Sequence, residues 1–265
     1  MIYFTRSARG YNHINNDIVC QDFSAAYHDD ERTIITACDG HGGSIYFRSN
    51  RGSKFASNAL INALKMVDIN QLYLLNNRDF IEKIRLQILC DWNAAVESDL
   101  AKNPFTEIEL APFDEDKRFT LKVNPEVAYG TTLNAAMLID KYIVCVQLGD
   151  GGVFLLSKGI ATSAFIDDDS NVANVTSSIC QEKAHDHLNI AVYKARGNDG
   201  VLICTDGLLA PYQSYKNFQL SFIKPVCRKF SKGNKTKDII SFIDLLAKKK
   251  GVGDDVSIGL ILKKG

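Results

Sequence analysis

The sequence is most informative at first in what it withholds. It has no excess charge of either sign: Lys and Arg total 31, Asp and Glu total 31. That balance gives no electrostatic footprint for nucleic acid or an anionic membrane, and neither is expected as a partner. No run of about 18 apolar residues is present, so no spanning helix is expected. The opening stretch, MIYFTRSARG, is too short in apolar residues and too soon basic to be a secretory signal. Seven cysteines are scattered without a C-x-x-C pair, which argues against a structural zinc site. None is followed, five residues on, by the arginine that a cysteine-based phosphatase needs. They read as reduced, buried thiols of a cytoplasmic protein. Alternating βαβ units, internal repeats and low-complexity tracts are also missing.

What remains is ample apolar material, 46% of 265 residues, read here as one domain over residues 1–265. QDFSAAYHDDERTIITACDG reads as two strands joined by a charged turn. Ser44 to Val67 carries apolar residues at helical spacing. In RDFIEKIRLQILCDWNAAVESDLAK, Phe80, Ile84, Ile88, Trp92 and Val96 recur every fourth residue, a helix covering a sheet. Residues 103–126, with three prolines and mixed charge, read as a long exposed connection. Strands return in GTTLNAAMLID, YIVCVQLGD and GVFLLSKG, then in GVLICTDGLL and DDVSIGLILKK. The segment from Ile166 to Ile190 reads as a mobile flap. A helix is expected from Lys237 to Lys250, with Lys248 to Lys250 as its solvated end. Strands in meanders with helices in separate blocks indicate antiparallel sheets under helical cover.

Several strand ends share one pattern, an Asp beside a small or acidic residue: Asp22, Asp39, Asp206 and Asp254. Any one alone is a turn signal. If all four meet at one edge, each pair at about 4 Å repels by roughly 4 kcal/mol at an effective dielectric near 20. Protonation or divalent cations must relieve that repulsion, and all-oxygen ligands favour Mg²⁺ or Mn²⁺. Gly40 exposes its carbonyl to such an ion. His41 suits an acid that protonates a departing alkoxide better than it suits a hard-metal ligand. Asp150, between two strands, is equally well a turn residue or a ligand. Gly130-Thr131-Thr132 is readable as an ordinary strand start.

CDGHGG before a long helix, YGTT before a hairpin, LGD at its turn, LICTDGLL and GDDVSIGLIL, in that order, resemble the metal-dependent Ser/Thr protein phosphatases of the 2C type. The match spans nearly the whole chain and suggests the bacterial-like, single-domain form. It implies an α+β fold: a four-layer αββα sandwich of two antiparallel β-sheets packed face to face, with helices on both outer faces. It implies two Mn²⁺ or Mg²⁺ ions, with Asp39 bridging them, the Gly40 carbonyl, Asp206 and Asp254 as ligands, and Asp22 as the N-terminal acidic ligand. Asp150 falls where a third, weaker metal is held, and His41 matches the general acid. The implied reaction is hydrolysis of phosphoserine or phosphothreonine by a metal-activated water, with no phosphoenzyme. The implied partners are a phosphorylated protein and a cognate Ser/Thr kinase, and the chain is read as a monomer. The family's phosphate-gripping Arg has no clear counterpart; His13, with Arg9 upstream, lies near its place. The turn reads Gly-Asp-Gly-Gly where Gly-Asp-Ser-Arg is commoner, and Asp255, where many relatives have Asn, is read as added charge at the metal site. Two alternatives stay open: an inactive phosphoprotein-binding relative, and a hydrolase of a small phosphorylated metabolite.

Overall fold

The computed structural model describes residues 1–74, 77–165, 177–195, 200–231 and 236–263. Among these, ten strands run in chain order. They are β1 (Ile2–Ala8), β2 (Phe23–His28), β3 (Arg32–Cys38), β4 (Leu133–Ile139), β5 (Tyr142–Leu148), β6 (Gly152–Ser157), β7 (Ile160–Ser163), β8 (Asn189–Lys194), β9 (Gly200–Cys204) and β10 (Val256–Leu262). They form two five-stranded sheets, β1-β10-β9-β6-β7 and β2-β3-β4-β5-β8. Every neighbouring pair is antiparallel.

The central strands are buried along both faces, which is why they read as near-continuous apolar runs rather than clean alternations. Alternation survives in what each face touches. Ile35, Ala37, Ala136, Leu138, Ile143 and Cys145 point inward and meet Val153, Val201, Ile203 and Ile261 of the other sheet. Ile34, Leu133, Met137, Val144 and Val146 point outward onto helices Ser49–Lys65 and Arg78–Lys102. Leu202, Cys204, Ile258 and Leu260 face outward on the opposite side, onto Phe218, Phe222, Ile239 and Ile243 of the C-terminal helices. Three cores therefore separate four layers, as the αββα expectation requires. The sheets approach closely at Gly259, where a Cβ would lie about 3 Å from both Ile203 and Ile35.

The stripe on the long helix is as expected: its buried residues are Phe80, Ile84, Ile88, Trp92 and Val96. The stretch 103–126 is not the open connection its prolines suggested. It contains helices Glu107–Leu110 and Glu115–Val123, the first closed by a Thr106/Glu109 capping box. The physical reason is Arg48, only 4% exposed. Its guanidinium donates to both oxygens of Glu109 (2.8 and 2.9 Å), to the Asn103 and Pro104 carbonyls and to the Tyr129 hydroxyl. Of the expected flap, residues 166–176 lie outside the described residues. The remainder is tied down: Ile179 N–H donates to the Thr131 carbonyl, and Ala184–His187 is a helical turn leading into β8. The C-terminal helix spans Thr236–Leu245 and continues in a wider turn over Leu246–Lys250, with the three lysines exposed. β1, β7 and β8 were not anticipated from the sequence.

Candidate metal centre

The strand register gathers the aspartates. β2 begins beside the end of β3, with Phe23 opposite Cys38. β10 begins beside the end of β9, and Cys204 is also opposite Gly152. Asp22, Asp39, Asp206 and Asp254 each lie just outside one of these strand ends, at one edge of the sandwich. Asp150 lies there too, in the turn by which β5 of one sheet passes to β6 of the other. Gln147 Nε2 pins that turn to the Gly151 carbonyl at 2.8 Å.

Asp39 is held by its backbone, which leaves its carboxylate free to be aimed. Thr132 N–H and Thr131 Oγ1 both donate to the Asp39 carbonyl (2.8 and 2.7 Å), and Asp39 N–H donates to Thr132 Oγ1 (3.1 Å). This is the work of the YGTT segment, which spacing alone left ambiguous. Gly40 N–H donates to the Gln21 carbonyl and His41 N–H to the Gly130 carbonyl. The bridge between Gly40 and Thr131 thus takes its bonds from Asp39 and His41, leaving the Gly40 carbonyl outside the ladder. Only glycine fits at 40: a Cβ there would lie 2.6 Å from the Gln21 carbonyl and 2.7 Å from that of Ser49.

Carboxylate oxygens of Asp39, Asp150 and Asp206 all lie within 4.8 Å of one another. Asp206 Oδ1 is buried and has no hydrogen-bond partner. Asp22 lies deeper, 5% exposed, and its Oδ2 accepts from Thr205 Oγ1 at 2.9 Å. Asp254 Oδ1 accepts the Asp255 N–H at 2.8 Å. Burial, then the Asp255 charge, pushes the Asp22 carboxyl up to about 8. Burial, then the charges of Asp22 and Asp206, holds Asp39 well above the usual carboxylate range. Burial raises Asp206 and Asp254 as well. Four carboxyls displaced in one direction mark a place short of positive charge. The donors are all oxygen, and one buried oxygen is orphaned; the residues present suit a hard divalent cation.

His41 stands beside this cluster with its ring edge-on to Tyr46, centroids 4.9 Å apart. Burial lowers its pKa, and the Asp150 charge opposes that. Asp255 adds charge beside the cluster, raising both Asp22 and Asp254, and has a second task that the sequence did not show. Its carboxylate accepts the Gly10 and Gln21 N–H groups (2.7 and 2.6 Å) and lies 3.0 Å from His13 Nδ1. It thereby fastens the N-terminal segment to β10, because neighbouring residues at a strand start face opposite ways. His13 is thereby placed against Asp255, close enough to Asp254 to favour that group's charged form. Arg9 Nη2 donates to the His13 carbonyl (3.0 Å) and lies 3.6 Å from Asp17. Thr131 and Thr132 belong to the YGTT motif; Thr205 and Tyr46 also shape the centre, with no motif-like spacing to announce them.

A sequence model described as protein phosphatase 2C matches residues 9–243. No curated protein matches by sequence. Solved structures share the fold at low identity. The catalytic domain of the serine/threonine phosphatase PstP, in complex with two manganese ions, is 18% identical with a TM-score of 0.57, covering 99% of this chain and 98% of that one. A serine/threonine phosphatase of S. agalactiae is 17% identical with a TM-score of 0.58, covering 98% of each chain. RsbX in complex with magnesium is 13% identical with a TM-score of 0.53, covering 98% and 94%.

Proposed function

The chain belongs to the protein phosphatase 2C family, the metal-dependent serine/threonine protein phosphatases, and on that premise we propose how its own residues divide the work. Asp39, Asp206, Asp254, Asp22 and the Gly40 carbonyl would hold the two ions, Asp206 and Asp254 serving one of them, and Asp150 would serve a further ion. Bound Mn²⁺ or Mg²⁺ supplies water acidified towards neutrality and positive charge for the phosphoryl oxygens. The carboxylates fix where that charge sits, and the Thr131–Thr132 clamp fixes Asp39. His41 holds the proton that the leaving serine or threonine oxygen takes up as the P–O bond breaks. No side chain need become phosphorylated, which agrees with cysteines whose thiols burial pushes up rather than activates. His13 is the nearer of the two candidates for gripping phosphate; Arg9 serves the His13 backbone.

The observation that carries this reading is the meeting of Asp39, Asp150 and Asp206 around an orphaned oxygen. PstP with two manganese ions and RsbX with magnesium support the choice of metal. The experiment is phosphate release from a phosphoserine peptide with Mn²⁺, abolished by a chelator. His41→Ala sharpens it: loss on the peptide should far exceed loss on an aryl phosphate, whose leaving group barely needs a proton. Equal losses would remove His41 from the acid role.

The reading extends to one catalytic domain over residues 1–265, acting as a monomer on a phosphoprotein made by a Ser/Thr kinase. Among the described residues no helix is long and apolar enough to cross a membrane. Seven free cysteines suit a reducing, cytoplasmic setting.

A further inference from the structure

A groove of about 710 Å³ opens beside the carboxylate cluster. Asp150 and Gly151 form one end; from there it runs between β7 and the helical segment that follows Asp206. Its floor is aromatic. Phe154 packs on Phe218 and Tyr215, with centroids 5.5 and 5.8 Å apart, and Tyr212 stands edge-on to Phe218 at 5.3 Å. The floor is fixed to the sheet: the Tyr215 hydroxyl donates to the Ala161 carbonyl, and Gln219 Oε1 accepts the Ala161 N–H at 3.1 Å. Ile160, 56% exposed, is an apolar wall left open.

The turn sequence makes the groove continuous with the centre. A Cβ at Gly152 would lie 2.3 Å from the Phe154 ring, so the ring lies where a side chain at 152 would be. Glycine at 152 lets the Phe154 ring lie against the backbone just beyond Asp150, and Asp150, Gly151, Gly152 and Phe154 line the same groove. Among the lining residues Asp150 alone is charged, and it also belongs to the carboxylate cluster.

We propose that this groove receives a side chain neighbouring the phosphoresidue of the protein substrate, and that it selects a large aromatic or aliphatic one. The inference rests on the phosphatase reading. A phosphoryl group held at the cluster brings the substrate chain past Asp150, and the adjoining groove is the space its neighbouring side chain enters. The walls offer apolar area to cover and hydroxyls of Thr162, Ser163 and Ser214 at the rim, the composition of a side-chain pocket. They offer no counter-charge for a basic or acidic side chain beyond Asp150, which the cluster already engages.

The test uses phosphoserine peptides on an alanine background with phenylalanine placed at each flanking position in turn, assayed with Mn²⁺. An aryl phosphate reports the centre alone. The wild type should show kcat/KM about ten-fold higher for phenylalanine at one flanking position than for alanine there. Ile160→Asp, which charges the wall, should cut that ratio to near unity, as should Ser163→Trp, which fills the groove. The ratio between peptides cancels any general loss in a variant. Equal kcat/KM at every position in a wild type that hydrolyses the aryl phosphate would overturn the groove assignment while leaving the phosphatase reading intact. So would a preference that both variants retain. Failure to hydrolyse either substrate would remove the phosphatase reading, and this inference with it.

Discussion

Among the described residues, two clusters of ionisable groups sit partly or wholly under cover, and they are opposites. At the sandwich edge, carboxyls face carboxyls, one oxygen has no partner, and every shift is upward. On the outer helical face, Arg48 joins Glu109, and Asp99 accepts from the Tyr129 hydroxyl at 2.6 Å and from Arg51 at 3.0 Å. There the carboxyl shifts are downward: hydrogen bonds from Arg48 lead in holding Glu109 at about 2, and those from Tyr129 and Arg51 outweigh burial at Asp99. The outer cluster is complete as the chain stands and stabilises the fold. The edge cluster is complete only with charge from outside. The contrast separates structural from functional burial of charge: the first satisfies itself, and the second is built to need something.

The largest effect should come from Asp39→Asn. Turnover with Mn²⁺ should fall at least about a hundredfold, and the manganese-dependent rise in Tm should vanish. The metal-free Tm should hold or rise, because a repelling charge is gone. A variant that keeps the manganese response breaks the contrast. Next, Arg48→Met leaves Glu109 short of its cation, while Asp99 keeps Arg51, and should cost about 3 kcal/mol in denaturant unfolding. Unchanged stability would mean that the outer cluster is ornamental.

Glu109→Gln should cost about 2 kcal/mol at neutral pH. Its carboxyl titrates at about 2 in the folded chain against an ordinary 4.5. A depressed value contributes stability above 4.5 that is lost as pH falls towards 2. The gap between wild type and variant should therefore close across that window; a gap that widens on acidification reverses the sign. The smallest effect is expected from Tyr46→Ala, which removes the ring against His41. Peptide turnover should fall roughly two- to ten-fold, more than aryl phosphate turnover, and Tyr46→Phe should restore it.

Legibility followed locality. The β2–β3 turn, the four-residue stripe of the long helix and the aspartates at strand ends were all readable, because each is written within a few residues. β1 was not, since IYFTRSA becomes a strand by pairing with β10, Ile2 opposite Leu262. Arg48 looks like any arginine near a helix start until Glu109 arrives from 61 residues away. Asp254 and Asp255 are indistinguishable as letters; the strand start decides that one joins the edge cluster and the other ties down Gly10 and Gln21. Asp150 was an even choice until the β5–β6 passage between sheets placed it against Asp39 and Asp206.

Asp39 follows a strand of one sheet and Asp206 follows a strand of the other. An ion held by both, as proposed, would be a rivet through the interface, and pulling the layers apart would mean releasing it. Cation occupancy would then report on assembly as well as readiness for chemistry: a half-built chain with one sheet formed would have only half a grip. Manganese should slow the opening of the whole sandwich, and protease resistance should climb with ion concentration along the same curve as affinity.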